Sequence, residues 1–108
     1  MNERELKVLC RAVGDVTRLR IVRHLTREPE VSVSDLADLL VLSQPLASWH
    51  LRILKRAGIL ATRKDGRQVY CSLDTRRIQQ FQEAIGDLIR IQPGKEDVWE
   101  KSALPSSA

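Results

Sequence analysis

Apolar residues in the N-terminal part of the chain recur three or four positions apart, which places them on one face of a helix. The pattern predicts three amphipathic helices, over residues 3–13, residues 16–27 and about residues 36–40. Gly14 separates the first two helices. Pro29 breaks the second helix, because proline cannot continue a helix without strain. Between the second and third helices, residues 31–33 are predicted to form a short extended piece.

The stretch from Ser43 to Ser72 changes its period halfway. Its first part has helical spacing, with Pro45 in the first turn, where a missing N–H costs little, and Gly58 at the end. Residues 59–64 and 67–72 are β-like runs joined by Asp65-Gly66, a strong hairpin turn signal. The predicted buried face of the helix consists of Leu46, Ala47, Leu51, Leu54 and Ala57.

A short polar residue precedes each predicted helix after the first, and its side chain can accept a free N–H of the first turn. The predicted caps are Asp15, Ser34 with Asp35, Ser43 and, for the last helix, Asp74 or Thr75.

The last helix is predicted to run to about Ile91 and to be ended by Pro93-Gly94. The fold class is therefore mainly α with a small β-hairpin (α+β), in the order α-α-α-α-β-β-α. Two short helices joined by a tight turn and followed by a hairpin form a winged helix-turn-helix. Residues 1–91 are predicted to be one domain, and residues 92–108 a polar, flexible tail in which Trp99 docks on the body.

The excess charge is concentrated in one region. The chain carries a net charge of +4, and residues 1–48 hold equal numbers of basic and acidic groups. Residues 49–67 hold six Lys or Arg residues and a single acid, Asp65. Because this region coincides with the predicted helix and hairpin, the pattern indicates binding of double-stranded DNA rather than a merely solvated basic face.

Polar groups at the start of that helix can reach base edges, and basic groups further along can hold phosphates. Trp49 lies on the same outer face, and we predict a DNA contact for it rather than packing against its own domain. His50 is predicted to pack between helices. The candidate DNA-binding residues are Gln44, Pro45, Ser48, Trp49, Arg52, Lys55, Arg63, Lys64 and Arg67.

Composition adds two expectations. No apolar run approaches the ~20 residues that a membrane span needs, and the charged start MNERELK is not a signal sequence. We therefore expect a cytoplasmic protein, in which Cys10 and Cys71 are reduced. Cys71 shares a strand face with Val69 and Leu73, which predicts that it is buried and inert.

Three segments taken together, GDVTRLRIVRHL, SVSDLADLLVLSQPLASWHLRILKRAGIL and RKDGRQVYCSL, resemble the ArsR family of winged-helix repressors. The resemblance implies a homodimer built by the first and last helices, which binds a partly palindromic operator and releases it on an inducer, often a metal. On that basis, and from the apolar spacing, the predicted dimer interface consists of Leu6, Leu9, Cys10, Ile78, Phe81, Ile85 and Leu88.

The metal ligands of the family are missing from the matching positions. A Cys-x-Cys motif before the third helix is replaced by Ser32 and Ser34, and a hydroxyl is a poor substitute for a thiolate. A second site, on the last helix, corresponds to Asp74, Arg76, Asp87 and Arg90, and arginine cannot coordinate a cation. We therefore predict no metal site and no cofactor, and the inducer stays unknown.

Three other functions are less consistent with the sequence. An enzymatic function is not favoured, because the chain has no glycine-rich phosphate loop and only two histidines to act as a base or a ligand. A repressor that senses oxidants or arsenicals through a thiol is the main alternative, using Cys10 and possibly Cys71. A winged helix that binds only other proteins is less favoured, because it would not need the excess charge at the helix and hairpin.

Overall fold

The computed structural model describes residues 1–91. The elements in chain order are α1 (Glu3–Val13), α2 (Val16–Arg27), β1 (Val31–Ser32), α3 (Val33–Leu40), α4 (Gln44–Arg56), β2 (Leu60–Asp65), β3 (Gln68–Leu73) and α5 (Thr75–Leu88). The predicted fold class is confirmed, with one addition: the two-residue strand β1 extends the hairpin to a three-stranded sheet. Within this part of the chain, no helix is long and apolar enough to cross a membrane. The predictions for Pro93-Gly94, for Trp99 and for the flexible tail lie outside the described residues.

Three of the predicted caps are confirmed. The side chains of Asp15, Ser43 and Asp74 each accept the backbone N–H three residues later, at 3.0, 3.3 and 3.1 Å. The cap of α3 is not Ser34 with Asp35 but Ser32, whose hydroxyl accepts the Asp35 N–H at 3.1 Å. Ser32 has the extended backbone of a cap, which places Ser34 and Asp35 inside the first turn.

The sheet is antiparallel, and β3 lies at its centre, between β1 and β2. Asp65 pairs with Gln68, so the hairpin loop is Gly66-Arg67, one residue later than the predicted Asp65-Gly66. Gly66 has a φ of +62°, the left-handed conformation that a two-residue hairpin loop needs at its first position. Both strands of the hairpin, β2 and β3, are accordingly shifted by one residue from their predicted bounds.

The core lies where α1–α4 meet the sheet. The largest fully buried side chains are Leu9, Ile21, Leu36, Leu54, Ile59 and Cys71. The prediction that Leu46 belongs to the buried face of α4 is wrong, because Leu46 is 43% exposed. His50 is buried on that face instead.

The two helices predicted to form a dimer differ in how much apolar surface they leave open. Leu6 and Leu9 of α1 are buried within the protomer, which argues against a contact with a partner, and the dimer interface as a whole stays a prediction. Helix α5 buries none of its residues, and it ends at Leu88, three residues before the predicted end. Leu88, Ile89 and Ile91 are each more than 60% exposed.

Candidate nucleic-acid interface

An open groove of about 520 Å³ lies between the N-terminus of α3, the outer face of α4 and the wing formed by β2 and β3. Helix α4 reaches it because Ser43 and Pro45 start the helix and the apolar residues Ala47, Leu51 and Leu54 hold its other face against the core. Seven of the predicted DNA contacts line the groove: Gln44, Ser48, Arg52, Lys55, Arg63, Lys64 and Arg67. Pro45 and Trp49 are exposed on α4 outside it.

Both ends of the groove are tied to α4 by side-chain hydrogen bonds. At the start of α4, Gln44 Nε2 donates to the hydroxyl Oγ of Ser34 at 2.9 Å. Near its end, Lys55 Nζ donates to Thr62 Oγ1 of β2 at 2.7 Å. These two contacts fix the helix to α3 on one side and to the wing on the other. Ser48 and Arg52 lie between them on α4.

Arg63 is engaged differently from the other basic groups. Its guanidinium forms two hydrogen bonds with the carboxylate of Glu30, at 2.7 and 2.6 Å, and lies 4.6 Å from the ring centroid of Tyr70. The hydrogen bond from Arg63 lowers the pKa of Glu30, and Glu30 in turn raises the pKa of Arg63. Arg63 pairs with Tyr70 across the strands, on the opposite sheet face from Lys64. This geometry supports a role in holding the wing to the residue just before β1 rather than the predicted phosphate contact.

Trp49 is half exposed and half packed. Its ring meets His50 edge to face, with centroids 4.9 Å apart, and the Arg18 guanidinium lies 5.9 Å from its centroid. The exposed half agrees with the predicted position on the outer face, the contacts show that the other half packs against its own domain, and the DNA contact stays a prediction. The helix-packing role predicted for His50 is also correct, since its Nδ1 lies 3.0 Å from the Arg18 guanidinium.

Arg18 joins three helices at this point. Its side chain donates from α2 to the backbone carbonyl of Ala12 in α1 at 2.6 Å and also contacts His50 of α4. The backbone N–H of Arg18 lowers the pKa of the Asp15 carboxyl. The side chain thereby couples the end of α1 to the back of α4.

The two thiols have different surroundings. Cys71 is buried, and its Sγ donates to the carbonyl of Val31 at 3.2 Å. Burial raises the pKa of Cys71 to about 11, as expected for a thiol kept from water. The predicted burial of Cys71 is therefore correct, while Cys10 is exposed on α1.

The residues at the family's metal positions are engaged in hydrogen bonds within the fold. Ser32 and Ser34 use their hydroxyl oxygens as acceptors for Asp35 and Gln44, and Asp74 caps α5. Among residues 1–91, no group of three or more His, Cys, Asp or Glu side chains is placed to hold a metal ion. The hydroxyl and guanidinium groups at these positions do not fit the thiolate and imidazole ligands that such ions prefer.

Sequence reasoning missed three side chains that organise the interface: Glu30, Ser34 and Thr62. Their partners are 33, 10 and 7 residues away in sequence, in other elements. Periodicity reports which face of an element a residue occupies and gives no signal for such pairings. One local clue concerns Thr62: it lies two residues from Lys64 on β2, so the two side chains share a face of the strand.

Comparisons with known proteins agree with this geometry. The Helix-turn-helix domain family matches residues 13–63. The cadmium resistance transcriptional regulatory protein CadC homolog of Staphylococcus aureus is 39% identical over 76% of this chain and 68% of its own length. The arsenic resistance transcriptional regulator ArsR1 of Pseudomonas putida is 41% identical over 61% of this chain, which spans about half (52%) of that relative.

Among solved structures, a possible transcriptional regulator for arsenical resistance superposes with a TM-score of 0.70. It is 34% identical to this chain, and the match covers 94% of this chain and 97% of that one. The similarity to this structure, in sequence and in fold, therefore extends over nearly the whole part of the chain that the structure describes. The chain belongs to the ArsR family of winged-helix transcriptional regulators.

Proposed function

We propose that this protein is a homodimeric repressor that binds a partly palindromic operator in double-stranded DNA. The observation that carries the proposal is the groove, in which amide and hydroxyl groups of Gln44 and Ser48 lie beside the basic groups of Arg52, Lys64 and Arg67. Neutral hydrogen-bonding groups read base edges, and cationic groups hold the phosphates on either side.

The proposed dimer uses α5 and the exposed part of α1. A lone protomer leaves Leu88, Ile89 and Ile91 largely exposed at and just after the C-terminal end of α5, with Val8 and Cys10 exposed on α1. Burying this apolar surface against a second copy favours association. A two-fold dimer presents two α4 helices, and such an arrangement matches an operator with inverted half-sites.

The proposed repressor does not use the metal sites of its family. The names of the relatives refer to cadmium and arsenic resistance, but the hydroxyl groups of Ser32 and Ser34 already accept hydrogen bonds within the fold. Either a signal other than a metal ion relieves repression, or operator occupancy follows the concentration of the repressor.

A thiol-sensing repressor is the second candidate. The exposure of Cys10 on α1 is the observation that favours it, because a modification there lies on the proposed dimer face. Cys71 is a poor candidate, since burial raises its pKa to about 11 and leaves it as the unreactive thiol.

The proposed function is tested by selecting bound duplexes from a random pool. We expect an enriched sequence with two inverted half-sites, bound by two copies of the chain in a salt-dependent manner. Zinc or cadmium added at micromolar concentration should leave the selected complex intact, whereas arsenite should release it only if Cys10 acts as a sensor. Recovery of unrelated sequences would contradict sequence-specific binding, and release by zinc would contradict the metal proposal.

A further inference from the structure

Within residues 1–91, the amide of Gln44 forms one side-chain hydrogen bond, which leaves a second N–H and Oε1 without a partner. Gln44 is the first residue of α4, so the cap at Ser43 fixes its backbone. Its Nε2 donates to the Ser34 hydroxyl at 2.9 Å, and both residues line the groove. Gln44 is exposed and Ser34 is half-buried.

A glutamine amide has two N–H donors on Nε2 and one acceptor, Oε1. With one N–H given to Ser34, the other N–H and Oε1 stay available. Adenine presents the matching pair in the major groove, since N7 accepts and the N6 amino group donates. The contact with Ser34 needs only one of the two hydrogens on Nε2, so the other can join Oε1 in a bidentate glutamine–adenine contact.

The hydrogen bond also constrains the amide before DNA arrives. A free glutamine side chain loses rotamer freedom on binding, and a side chain already held loses less. Holding Nε2 against Ser34 further fixes which end of the amide carries the acceptor. We infer that Ser34 is a specificity-determining positioning residue that presents Gln44 to the adenine of an A·T pair.

This inference rests on the proposed function and names one base in its operator. It also gives residue 34 a role on the DNA-reading side of the molecule. A thiol at this position would hold Gln44 less well, because sulfur is a weak acceptor.

The test measures affinity for the selected operator and for single-base-pair variants of its half-site, with wild type, Ser34→Ala, Ser34→Thr, Gln44→Ala and the Ser34→Ala/Gln44→Ala double variant. We expect Ser34→Ala to bind the operator about fivefold more weakly, the size of one hydrogen bond. The Ser34→Ala variant should also lose its preference for A·T at one base pair of the half-site. The Gln44→Ala variant should lose its preference at the same base pair. Binding to unrelated duplex should not change.

Three comparisons separate positioning from a general structural role. Ser34→Thr keeps the hydroxyl and should restore the preference, and Ser34→Ala should cost nothing further when Gln44 is already alanine. Ser72→Ala removes a half-buried serine outside the groove and is the matched control. Ser34→Cys keeps the shape of the side chain, so the same loss of preference is expected even if Ser34→Ala unfolds.

A full A·T preference retained in both Ser34→Ala and Ser34→Cys would overturn the inference while leaving the proposed function intact. A Gln44-dependent pair that is G·C would overturn it as well. Absence of any sequence preference in the wild type would instead overturn the proposed function.

Discussion

Individual hydroxyl groups carry much of the local organisation of this molecule. Ser32 caps α3, Ser34 holds Gln44, and Thr62 accepts from Lys55. Each hydrogen bond contributes about 1 kcal/mol or less to stability, so their larger effect is on where the side chains of the groove point. Ser32 and Ser34 occupy positions at which the resemblance to the ArsR family predicts cysteines.

The two cysteines should differ sharply in reactivity. The thiolate is the nucleophile, and burial raises the pKa of Cys71 to about 11, so almost none of it is ionised at pH 8. We expect iodoacetamide to modify the exposed Cys10 alone in the folded protein and both thiols in denaturant, as counted by mass spectrometry.

Cys10→Ser is the matched control and should take up no label while folded. Rapid labelling of Cys71 would show that the wing opens far more readily than its packing indicates. Loss of DNA binding on oxidation that disappears in Cys10→Ser would favour the thiol-sensing alternative.

Among the secondary-structure elements, the wing depends on a contact made outside the hairpin. Glu30 precedes β1, and its carboxylate receives both hydrogen bonds from Arg63 of β2. Two-stranded hairpins are marginally stable on their own. The pairing of β1 with β3 and the Glu30–Arg63 ion pair both attach this hairpin to the body of the domain.

The Glu30–Arg63 pair predicts a defined pH dependence. The hydrogen bond from Arg63 lowers the pKa of Glu30 in the folded state, so its contribution is present above the ordinary pKa of 4.5 and is lost as the pH falls through the lowered value. Glu30→Gln should therefore reduce the Tm slightly at pH 7 and weaken the decline in Tm below about pH 4.5.

Thermal unfolding followed by circular dichroism between pH 7 and pH 3 measures the effect. Arg63 is exposed and Glu30 is half-buried, so solvent partly screens the pair and the shift in Tm should be small. Glu28→Gln removes an exposed carboxylate that forms no ion pair within residues 1–91 and is the matched control. Identical pH profiles for the wild type and Glu30→Gln would contradict the account of the wing.

Local signals predicted the order of the elements and the bounds of α1 and α2 correctly, and the errors elsewhere have physical causes. Gly14 and Asp15 mark the boundary between α1 and α2 unambiguously, because one ends a helix and the other caps the next. Ser32 and Ser34 are equally good caps in sequence, and only the pairing of β1 decides between them. The predicted end of α5 was late because Ile89 and Ile91 continue its apolar pattern beyond the last helical turn.

The candidate site was predictable as a surface but not as a network. Helical period placed Gln44, Ser48 and Arg52 on the outer face of α4, and the structure brings them into one groove. The engagement of Arg63 by Glu30 depends on a contact between residues far apart in sequence. Such pairings follow from the tertiary fold, which a single sequence does not specify at this level.

At the scale of the whole molecule, the exposed apolar surface of α5 is unusual for a domain that acts alone. Leu88, Ile89 and Ile91 lie together at the end of the helix and in the residues that follow it. Single exposed apolar residues are common, but adjoining ones indicate an interface. The dimer proposed from this surface also explains how two reading helices would meet two half-sites.

Substitution of Leu88 should separate the protomers. We expect the wild type to sediment as a dimer at micromolar concentration and Leu88→Asp to sediment as a monomer, because a carboxylate cannot be buried unpaired in an apolar interface. Leu39→Asp is the matched control, since Leu39 is a similarly exposed leucine on α3, away from α5. A wild-type monomer, or dimers of both variants, would contradict this interface.

The most direct test of the central claim is the salt dependence of binding to the selected operator and to unrelated duplex, measured for wild type, Gln44→Ala and Arg67→Ala. Gln44→Ala should weaken operator binding by ~1–3 kcal/mol per lost bidentate contact and leave unrelated duplex unaffected. Arg67→Ala should weaken both and lower the slope against log salt by about 0.9 per lost phosphate contact. Arg20→Ala, an exposed arginine of α2 outside the groove, should change neither. Equal losses for Gln44→Ala and Arg67→Ala on both duplexes, or binding that ignores salt, would contradict the assignment of this groove to DNA.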